Sequence, residues 1–377
     1  MKIGVVGLGK LGLPLSVLLS KQFQVFGVDL NPQRVQQVLN REKFVEPKLS
    51  EYLDEYGCSL KVSSDYAFLK GCEVVFIITQ TPSLPSGKFD IQYVESALRQ
   101  AHRVNPDCLV VVSSTINIGD MDKLQTIHKR IAYNPEFIKQ GSIIHDFQNP
   151  KFVLIGAYTQ EDSSQVANIW KSFHDKPICI VKPVEAEIIK LSLNVSFTLG
   201  ITFANAIGEL CRKFNADSSK VLDIIYRDHR NYKAGLGAMG PCFPRDLECF
   251  RAISHEKGVE TARRFAAFIK ELNAYTLDRY VQEIKNAGKK SVGFLGVAYK
   301  LGVPYVYESQ PLEIARRLLK EGYEIHIYDP LAEQNARQIL NCPNVHFHPD
   351  LGECVRQSDV LFIGTLNYSK VVVDPWK

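Results

Sequence analysis

A glycine pattern near the start of the chain constrains the fold more than any other feature. Gly7-x-Gly9-x-x-Gly12 follows a short β-branched run over residues 2–6 and opens an apolar stretch with helical character. The chain then returns as a second apolar run that ends in Asp29, 20 residues after Gly9. This is the fingerprint of a dinucleotide-binding βαβ unit: a strand, a glycine turn, a helix and a second strand, with a carboxylate at this spacing.

The fingerprint predicts how a dinucleotide is held. Its glycines let the pyrophosphate approach the first N–H groups of the following helix, which favour an anion. Asp29 would accept hydrogen bonds from the adenosine ribose and repel a 2′-phosphate, so NAD is favoured over NADP. Arg34 is a counter-signal, since a nearby arginine can serve a 2′-phosphate. The residues expected to bind the cofactor here are Gly7, Gly9, Lys10, Leu11, Gly12, Asp29 and Arg34.

Two further predicted strands are followed by threonines. The apolar runs over residues 74–79 and 109–112 are typical of buried parallel strands, and Thr81 and Thr115 come after them. Ligands of a doubly wound sheet gather beyond the carboxyl ends of its strands, so both threonines are candidates for contact with the nicotinamide ribose. A threonine at such a position is more often a turn residue or a helix cap.

A cysteine lies in a stiff, glycine-marked segment. Residues 233–246 contain three glycines and two prolines around Cys242. Arg245 would favour the thiolate, the form that attacks carbonyl carbons, and Asp246 is a candidate for proton transfer. A rigid loop around a buried, inert cysteine is the alternative, and the segment alone does not decide between the two.

Two other stretches carry groups suited to the same chemistry. Glu136 stands between a proline and a phenylalanine, a partly apolar setting that would raise its pKa toward that of a general base; a surface glutamate is the alternative. A helical pattern over residues 184–213 places Lys190 and Asn194 one turn apart on one face. Lys190 is flanked by isoleucine and leucine, which predicts a partly buried amine. His145-Asp146 is predicted to be a polar turn with no metal role.

The bulk composition narrows the class of protein. A chain of 377 residues exceeds one ordinary core, so two or three domains are expected. A net charge of +4 with interspersed signs gives no basic footprint for nucleic acid, and we see no membrane span. The nine cysteines are odd in number, scattered and without a Cys-x-x-Cys pair, which suits reduced thiols in a cytoplasm and neither a disulfide frame nor a zinc site.

The N-terminal pattern recurs weakly toward the other end of the chain. Residues 291–295 predict a strand, residues 311–320 a helix, and the run ending in Asp329 repeats the run ending in Asp29. The expected fold is α/β, with two Rossmann-like doubly wound domains joined by a long central helix and a helical middle domain. The expected boundaries are 1–183 for the NAD-binding domain, 184–286 for the central domain with the cysteine loop, and 287–377 for a shortened, substrate-binding C-terminal domain.

Together these residues resemble the nucleotide-sugar 6-dehydrogenase family, the UDP-glucose and GDP-mannose dehydrogenases, over nearly the whole chain. As an ordered set the Asn-Pro-Glu-Phe, Lys-x-x-x-Asn and Cys-Phe-Pro-Arg-Asp elements are specific, whereas the glycine fingerprint alone is not. The motifs that carry the resemblance are Val6-Gly-Leu-Gly-Lys-Leu-Gly-Leu-Pro-Leu15, Thr81-Pro82, Ser114-Thr115, Asn134-Pro-Glu-Phe137, Lys190 with Asn194, Cys242-Phe-Pro-Arg-Asp246 and Val297-Ala-Tyr-Lys300.

The resemblance implies a four-electron oxidation of a primary alcohol to a carboxylic acid, with two NAD and no release of the aldehyde. It implies that Cys242 captures the aldehyde and that Lys190 and Asn194 donate to the developing oxyanions. Asp246 would assist proton transfer, and Glu136 would activate the water that hydrolyses a thioester.

Further roles follow from the same resemblance. Thr115 would hold that water, Arg245 would lie near the cofactor, and the helix over residues 184–213 would pair two subunits in a homodimer. The substrate-binding residues that the resemblance implies are Glu136, Phe137, Ile138, Lys139, Lys190, Asn194, Tyr232, Lys233, Gly237 and Lys300.

The chain also departs from the family pattern in the substrate-recognising half. Met239 and Pro241 stand where the family often has glycine and serine, and Gln140 stands where it has an acid. Tyr305 and Tyr307 occupy a stretch where the family shows Asp-x-Arg, so a cation near the substrate phosphates is lost. We therefore expect an unusual substrate: a nucleotide sugar with a different base or sugar, or a smaller phosphorylated or nucleoside alcohol.

Two alternatives of other classes stay open at this point. A two-electron dehydrogenase like the hydroxyacid and 6-phosphogluconate enzymes also pairs a Rossmann domain with a helical domain carrying Lys and Asn, but does not need the cysteine. A non-catalytic NAD-binding sensor or scaffold is compatible with the altered loops. The number of NADH formed per substrate separates a two-electron dehydrogenase from a four-electron enzyme. An absence of turnover would indicate the sensor or scaffold.

Overall fold

The computed structural model describes residues 1–213, 215–227 and 235–365. The chain divides into two compact units, Met1–Leu191 and Ser192–Lys377. The predicted substrate residues Tyr232 and Lys233 lie outside the described residues, as does the C-terminal end from residue 366.

The first unit is built on an eight-stranded sheet with the strand order β3-β2-β1-β4-β5-β6-β7-β8. All neighbouring strands are parallel except β6 and β7. The order reverses beside β1, which pairs with β2 on one side and with β4 on the other. A ligand-binding crevice is expected at this point in a doubly wound sheet. The strands are β1 (Lys2–Val6), β2 (Gln24–Val28), β3 (Leu60–Ser63), β4 (Val74–Ile77), β5 (Leu109–Val112), β6 (Ile131–Tyr133), β7 (Val153–Ala157) and β8 (Ile178–Val181).

Helices cover both faces of this sheet, and the strand sequences explain why. In β4 and β5 alternate residues enter two different apolar clusters: Val75 and Ile77 lie in one, Val74 and Phe76 in the other. A strand buried on both faces is apolar throughout rather than alternating, as these runs are. The helices are α1 (Gly12–Leu19), α2 (Pro32–Leu39), α3 (Leu49–Tyr56), α4 (Gln92–Val104), α5 (Asp120–Ile127), α6 (Ile143–Gln148), α7 (Gln160–Lys171) and α8 (Pro183–Lys213).

The long helix α8 begins where its sequence predicts. Pro183 occupies the first helical position, where its missing N–H costs no hydrogen bond. Glu185 reaches back and accepts the backbone N–H of Lys182 at 2.8 Å, which satisfies a donor at the helix start. The prediction of a helix over 184–213 is confirmed. The prediction of a turn at His145-Asp146 is wrong, because Glu46 accepts the N–H groups of Gly141 and Ile143 and so stabilises the start of α6.

The second unit combines helices with a four-stranded parallel sheet in the order β11-β10-β9-β12. The run over 291–295 is a strand as predicted, and Asp329 directly follows β10 as Asp29 directly follows β2. The two-sheet α/β fold predicted from the repeat is therefore confirmed. Its elements are α9 (Ser218–Ile225), α10 (Phe243–Glu256), α11 (Glu260–Asn286), β9 (Ser291–Leu295), α12 (Gln310–Lys320), β10 (Glu324–Tyr328), α13 (Glu333–Ile339), β11 (Val345–Phe347), α14 (Leu351–Arg356) and β12 (Val360–Ile363).

Among the described residues, no helix has both the length and the apolar content needed to cross a bilayer.

Candidate active site

The glycine turn between β1 and α1 has the geometry of a dinucleotide cradle. Gly7 has a φ of 92°, and a Cβ there would lie 2.3 Å from the carbonyl oxygen of Ile78. A Cβ on Gly12 would lie 1.7 Å from the carbonyl oxygen of Gly7. A Cβ on Gly9, by contrast, would have no neighbour within 4 Å. Gly7 and Gly12 are thus required by the protein's own packing, whereas Gly9 leaves open space beside the turn at which the sequence predicts a pyrophosphate.

Asp29 lies at the end of β2 and is tied to that turn. Its Oδ2 accepts the backbone N–H of Leu8 at 2.8 Å, and its Oδ1 accepts that of Asn31 at 2.9 Å. The remaining acceptor capacity of the carboxylate can take ribose hydroxyls. Lys10 and Leu11 lie between Gly9 and the start of α1.

The hydrogen-bond partner of Arg34 was not predicted from the sequence. Its Nε donates to the carbonyl oxygen of Leu8 at 2.6 Å, and the guanidinium lies 4.9 Å from the centre of the Phe44 ring. This cation therefore supports the backbone of the glycine turn.

Thr81 and Thr115 are brought together at the carboxyl ends of neighbouring strands β4 and β5. The Thr81 hydroxyl donates to the carbonyl oxygen of Thr115 at 2.8 Å. The hydroxyl of Ser114 donates to the carbonyl oxygen of Thr79 at 2.7 Å. These bonds join the two loops at the edge of the sheet where the nicotinamide half of a dinucleotide is expected.

Lys190 and Glu136 meet in the same unit. Nζ of Lys190 donates to the backbone carbonyl oxygen of Glu136 at 2.7 Å and lies 4.9 Å from the centre of the Phe137 ring. The Oε1 atom of Glu136 is buried and has no hydrogen-bond partner among the described residues. Burial raises the pKa of Glu136 to about 8, with the Lys190 charge acting in the opposite direction. Both sequence predictions, a raised glutamate pKa and a buried amine, are confirmed; Lys190 is only 8% exposed.

The two residues after Phe137 differ in exposure. Ile138 packs against the core of the first unit. Lys139 is exposed, and its backbone N–H donates to Asp146 at 2.9 Å. The side chain of Lys139 is therefore directed to solvent, where it is available to a ligand.

Glu187 is a buried acid that sequence reasoning missed. It is fully buried, and its two oxygens accept the backbone N–H groups of Gly119 and Met121, each at 2.7 Å. Burial raises its pKa to about 7, against the effect of these two bonds. Glu187 thereby fixes the first turns of α8, which carry Lys190, to the start of α5 beyond the Thr115 loop. The apolar residues beside it, Ala186 and Ile188, were the only signal in the sequence.

In the second unit Cys242 stands at the start of α10 with its side chain exposed. One turn into the helix, Asp246 is 1% exposed and accepts a hydrogen bond from the side-chain amide of Asn194. Arg245 Nε lies 3.5 Å from Asp246 Oδ1. The cysteine is therefore not the buried residue of the alternative prediction, and three of the predicted catalytic residues belong to one neighbourhood.

The other predicted substrate residues of this unit lie on loops. The backbone N–H of Gly237 donates to the side chain of Gln310 at 2.6 Å. Lys300 follows β9 and is half-buried. Met239 and Tyr305, which depart from the family pattern, pack against the core of the unit, whereas Tyr307 is 56% exposed.

Family models match the chain along almost its whole length. Residues 1–174 match the NAD binding domain of the UDP-glucose/GDP-mannose dehydrogenase family, residues 184–275 its central domain, and residues 293–368 its UDP binding domain.

Individual relatives agree with these matches. The chain is 29% identical to a GDP-mannose 6-dehydrogenase of Pseudomonas aeruginosa, over 99% of this chain and 93% of that protein. It is 27% identical to a UDP-glucose 6-dehydrogenase of Rickettsia felis, over 97% and 86%. Its structure superimposes on a UDP-glucose dehydrogenase from Pyrobaculum islandicum with a TM-score of 0.89, at 29% identity and covering 98% and 93% of the two chains. Glycine cradle, buried acid–lysine pair and family matches agree: the chain belongs to the UDP-glucose/GDP-mannose dehydrogenase family and is an NAD-dependent enzyme of the nucleotide-sugar dehydrogenase type.

Proposed function

We propose that this enzyme oxidises the primary alcohol of a nucleotide sugar to a carboxylate in four electrons, through a thioester on Cys242. The observation that carries the proposal is the exposed thiol at the start of α10, one helical turn from the hydrogen-bonded pair Asp246 and Asn194. A two-electron dehydrogenase has no use for such a nucleophile. The names of the relatives, which include UDP-glucose and GDP-mannose 6-dehydrogenases, support the substrate class.

The steps balance with the groups that the chain supplies. NAD, when bound, accepts one hydride in each of the two oxidations. The alcohol loses a hydride and a proton to become an aldehyde, and the sulfur of Cys242 adds to its carbon as a thiohemiacetal. Loss of a second hydride and a proton leaves a thioester. Water then displaces the sulfur, which returns as the free thiol beside a carboxylic acid.

Each charged intermediate in this scheme has a candidate partner. Lys190 and Asn194 stand one turn apart on α8 and donate to the oxygen that becomes negative in the addition steps. Asp246 takes up and returns protons. Glu136 removes a proton from the attacking water once it is ionised, and Thr115 holds that water. The buried, partnerless Oε1 of Glu136 supports this assignment.

The nucleotide is proposed to bind the C-terminal sheet, with Lys300 on the loop after β9 as a contact. The chain has tyrosines at positions 305 and 307 where the resemblance leads one to expect Asp-x-Arg, and the exposed Tyr307 offers an aromatic surface in place of a cation. We therefore propose a sugar or base that differs from UDP-glucose, with a smaller phosphorylated alcohol as the other option.

We also propose a homodimer in a reducing compartment. Leu199 of α8 and three side chains on α11, Phe265, Phe268 and Tyr275, are between 37% and 56% exposed. The α11 residues share one helical face, and a second copy of the chain would cover it. None of the nine cysteines, all of which lie in the described part of the chain, forms a disulfide, as in proteins of a reducing cytoplasm. Sedimentation equilibrium of the full chain tests the dimer, and a monomer at all concentrations would contradict it.

The experiment that tests the function is a substrate panel with a thiol variant. UDP-glucose, GDP-mannose, UDP-N-acetylmannosamine and simpler phosphorylated alcohols are each incubated with NAD, and NADH and acid are measured. Cys242→Ser should abolish acid formation while NAD still binds, and Cys342→Ser, at another exposed cysteine, should behave as the wild type. Undiminished acid output from Cys242→Ser would overturn the thioester route.

A further inference from the structure

The loop that precedes Cys242, residues 235–241 and here called the thiol loop, is held by three side-chain amides from three helices. Asn205 of α8 accepts the N–H of Gly235 at 2.7 Å. Gln310, the first residue of α12, accepts the N–H of Gly237 at 2.6 Å. Asn273 of α11 accepts the N–H of Ala238 at 2.7 Å and donates to its carbonyl oxygen at 2.9 Å. Backbone groups in a loop usually bind water, so this arrangement gives the loop one defined conformation.

The second half of the thiol loop is fixed by other means. The backbone N–H of Gln310 lies 3.5 Å from the sulfur of Met239, which accepts it. Gly240 has a φ of 87° and lies against Tyr299, since a Cβ at Gly240 would be 2.5 Å from that ring. Pro241 restricts its own φ. Gln310 thus binds the loop twice, with its side chain at Gly237 and with its backbone at Met239.

Burial along the loop and at its end differs sharply. Leu236 is 2% and Ala238 3% exposed, whereas Cys242 is exposed. Most of the loop is therefore packed into the core, and the exposed Cys242 follows it. A reacting group held in one place avoids the loss of conformational freedom that attack would otherwise require.

We propose that Gln310 and Asn273 are positioning residues for Cys242, and that Met239 completes the attachment of Gln310 to the thiol loop. This inference rests on the proposed role of Cys242 as nucleophile. Gln310 begins the first helix of the C-terminal sheet, within the region that matches the family's UDP binding domain. It therefore joins the expected nucleotide domain to the loop that precedes the thiol. A glycine at position 239, as in the family pattern, would lack the sulfur contact, so this attachment belongs to the present chain.

The test replaces the acceptor at position 310 and measures the reactivity of the thiol. Gln310→Leu removes the acceptor for Gly237, whereas Gln310→Glu keeps an acceptor oxygen at this buried position. Gln282→Leu on the exposed side of α11 is the matched control. Each full-length protein is treated with iodoacetamide at neutral pH, and the alkylation of every cysteine is followed by peptide mass spectrometry.

The N-terminal end of a helix carries partial positive charge, which favours the thiolate form of a thiol held there. If the thiol loop loosens, Cys242 is no longer held at that end of α10. Gln310→Leu should therefore slow alkylation of Cys242 at least about threefold and speed hydrogen exchange of the Gly237 amide about tenfold. The exposed Cys58, Cys179 and Cys342 should react as in the wild type. Gln310→Glu and Gln282→Leu should leave Cys242 unchanged.

Alkylation of Cys242 slowed less than about threefold in Gln310→Leu would overturn the inference. If the buried Cys249 also becomes reactive, that variant has unfolded, and Met239→Gly decides by the same threefold criterion on Cys242 alone. Failure of the proposed function is separate, because it would show as acid formation by Cys242→Ser.

Discussion

The ammonium of Lys190 donates a 2.7 Å hydrogen bond to the backbone carbonyl oxygen of Glu136, not to its carboxylate. The bond fixes the loop after β6 to the first half of α8. It leaves the Glu136 side chain buried without a partner for Oε1, and so with a raised pKa. A lysine that bound the carboxylate directly would keep that carboxylate ionised and lower its pKa, and the carboxylate would then be a weaker base.

The pKa of Glu136 sets a pH dependence of stability. Because burial raises this pKa from 4.5 to about 8, the folded protein keeps a proton that the unfolded chain releases between these values. The free energy of unfolding should fall as the pH rises through that window. Glu136→Gln, which has no proton to lose, should gain stability over the wild type as the pH rises from 5 to 8. Urea unfolding at each pH measures this difference, and a difference that is independent of pH would contradict the raised pKa.

The same variant should lose the hydrolytic step. Only the ionised carboxylate can take a proton from water, so acid formation by the wild type should increase with pH through about 8. Glu136→Gln should stall as a covalent adduct on Cys242, which intact-protein mass spectrometry can detect. Acid formation by Glu136→Gln at the wild-type rate would exclude this base.

Two glycines of the dinucleotide turn should respond differently to the same substitution. Gly9→Ala places its Cβ in open space, so the protein should fold with an unchanged melting temperature and lose NAD affinity at least about tenfold. Gly12→Ala places its Cβ 1.7 Å from the carbonyl oxygen of Gly7 and should destabilise the whole first unit. Thermal unfolding and NAD titration by calorimetry check both. Full NAD affinity in Gly9→Ala would mean that the pyrophosphate does not bind at this turn.

Asp29 and Asp329 occupy corresponding positions, each directly after a strand of its own sheet, so their variants can be compared. Asp29→Ala should weaken NAD binding by about 10- to 100-fold and reduce discrimination against NADP, because the carboxylate orders the glycine turn and is proposed to accept the ribose hydroxyls. Asp329 accepts the N–H groups of Val297 and Ala298 in the second sheet. Asp329→Asn should lower the melting temperature without affecting NAD affinity. Equal NAD affinity of wild type and Asp29→Ala would remove Asp29 from the cofactor site.

Glu187 should be a determinant of stability. Glu187→Ala leaves the N–H groups of Gly119 and Met121 without their acceptors, a cost of about 1–3 kcal/mol per buried group. Glu185→Ala, two residues earlier on α8, is the control. It removes one exposed hydrogen bond at the helix start and should change the free energy of unfolding less. Chemical denaturation measures both, and equal effects would mean that Glu187 is not a buried anchor.

Local sequence patterns predicted those parts of the fold that depend on residues close to one another in the chain. The turn at Gly7 and Gly12, the strand over 291–295 and the helix over 184–213 are each encoded by residues next to one another. The raised pKa of Glu136 also followed from its immediate neighbours.

Contacts between distant residues were not predictable in this way. Glu187 finds its partners 68 and 66 residues away, and Gln310 reaches Gly237 across 73 residues. Arg34 was only a counter-signal in the sequence, because an arginine there can serve a 2′-phosphate. Its bond to the Leu8 carbonyl depends on how α2 packs against the glycine turn. A single sequence specifies the chemical type of such side chains without their partners.

The most direct test of a four-electron, thioester-forming enzyme is the number of NADH formed for each molecule of alcohol consumed. A limiting amount of the best substrate from the panel is run to completion with excess NAD, and NADH is counted by its absorbance. We expect two NADH and one carboxylate per alcohol, with no aldehyde captured by a hydrazine trap. One NADH per alcohol, with the aldehyde as the product, would contradict the account.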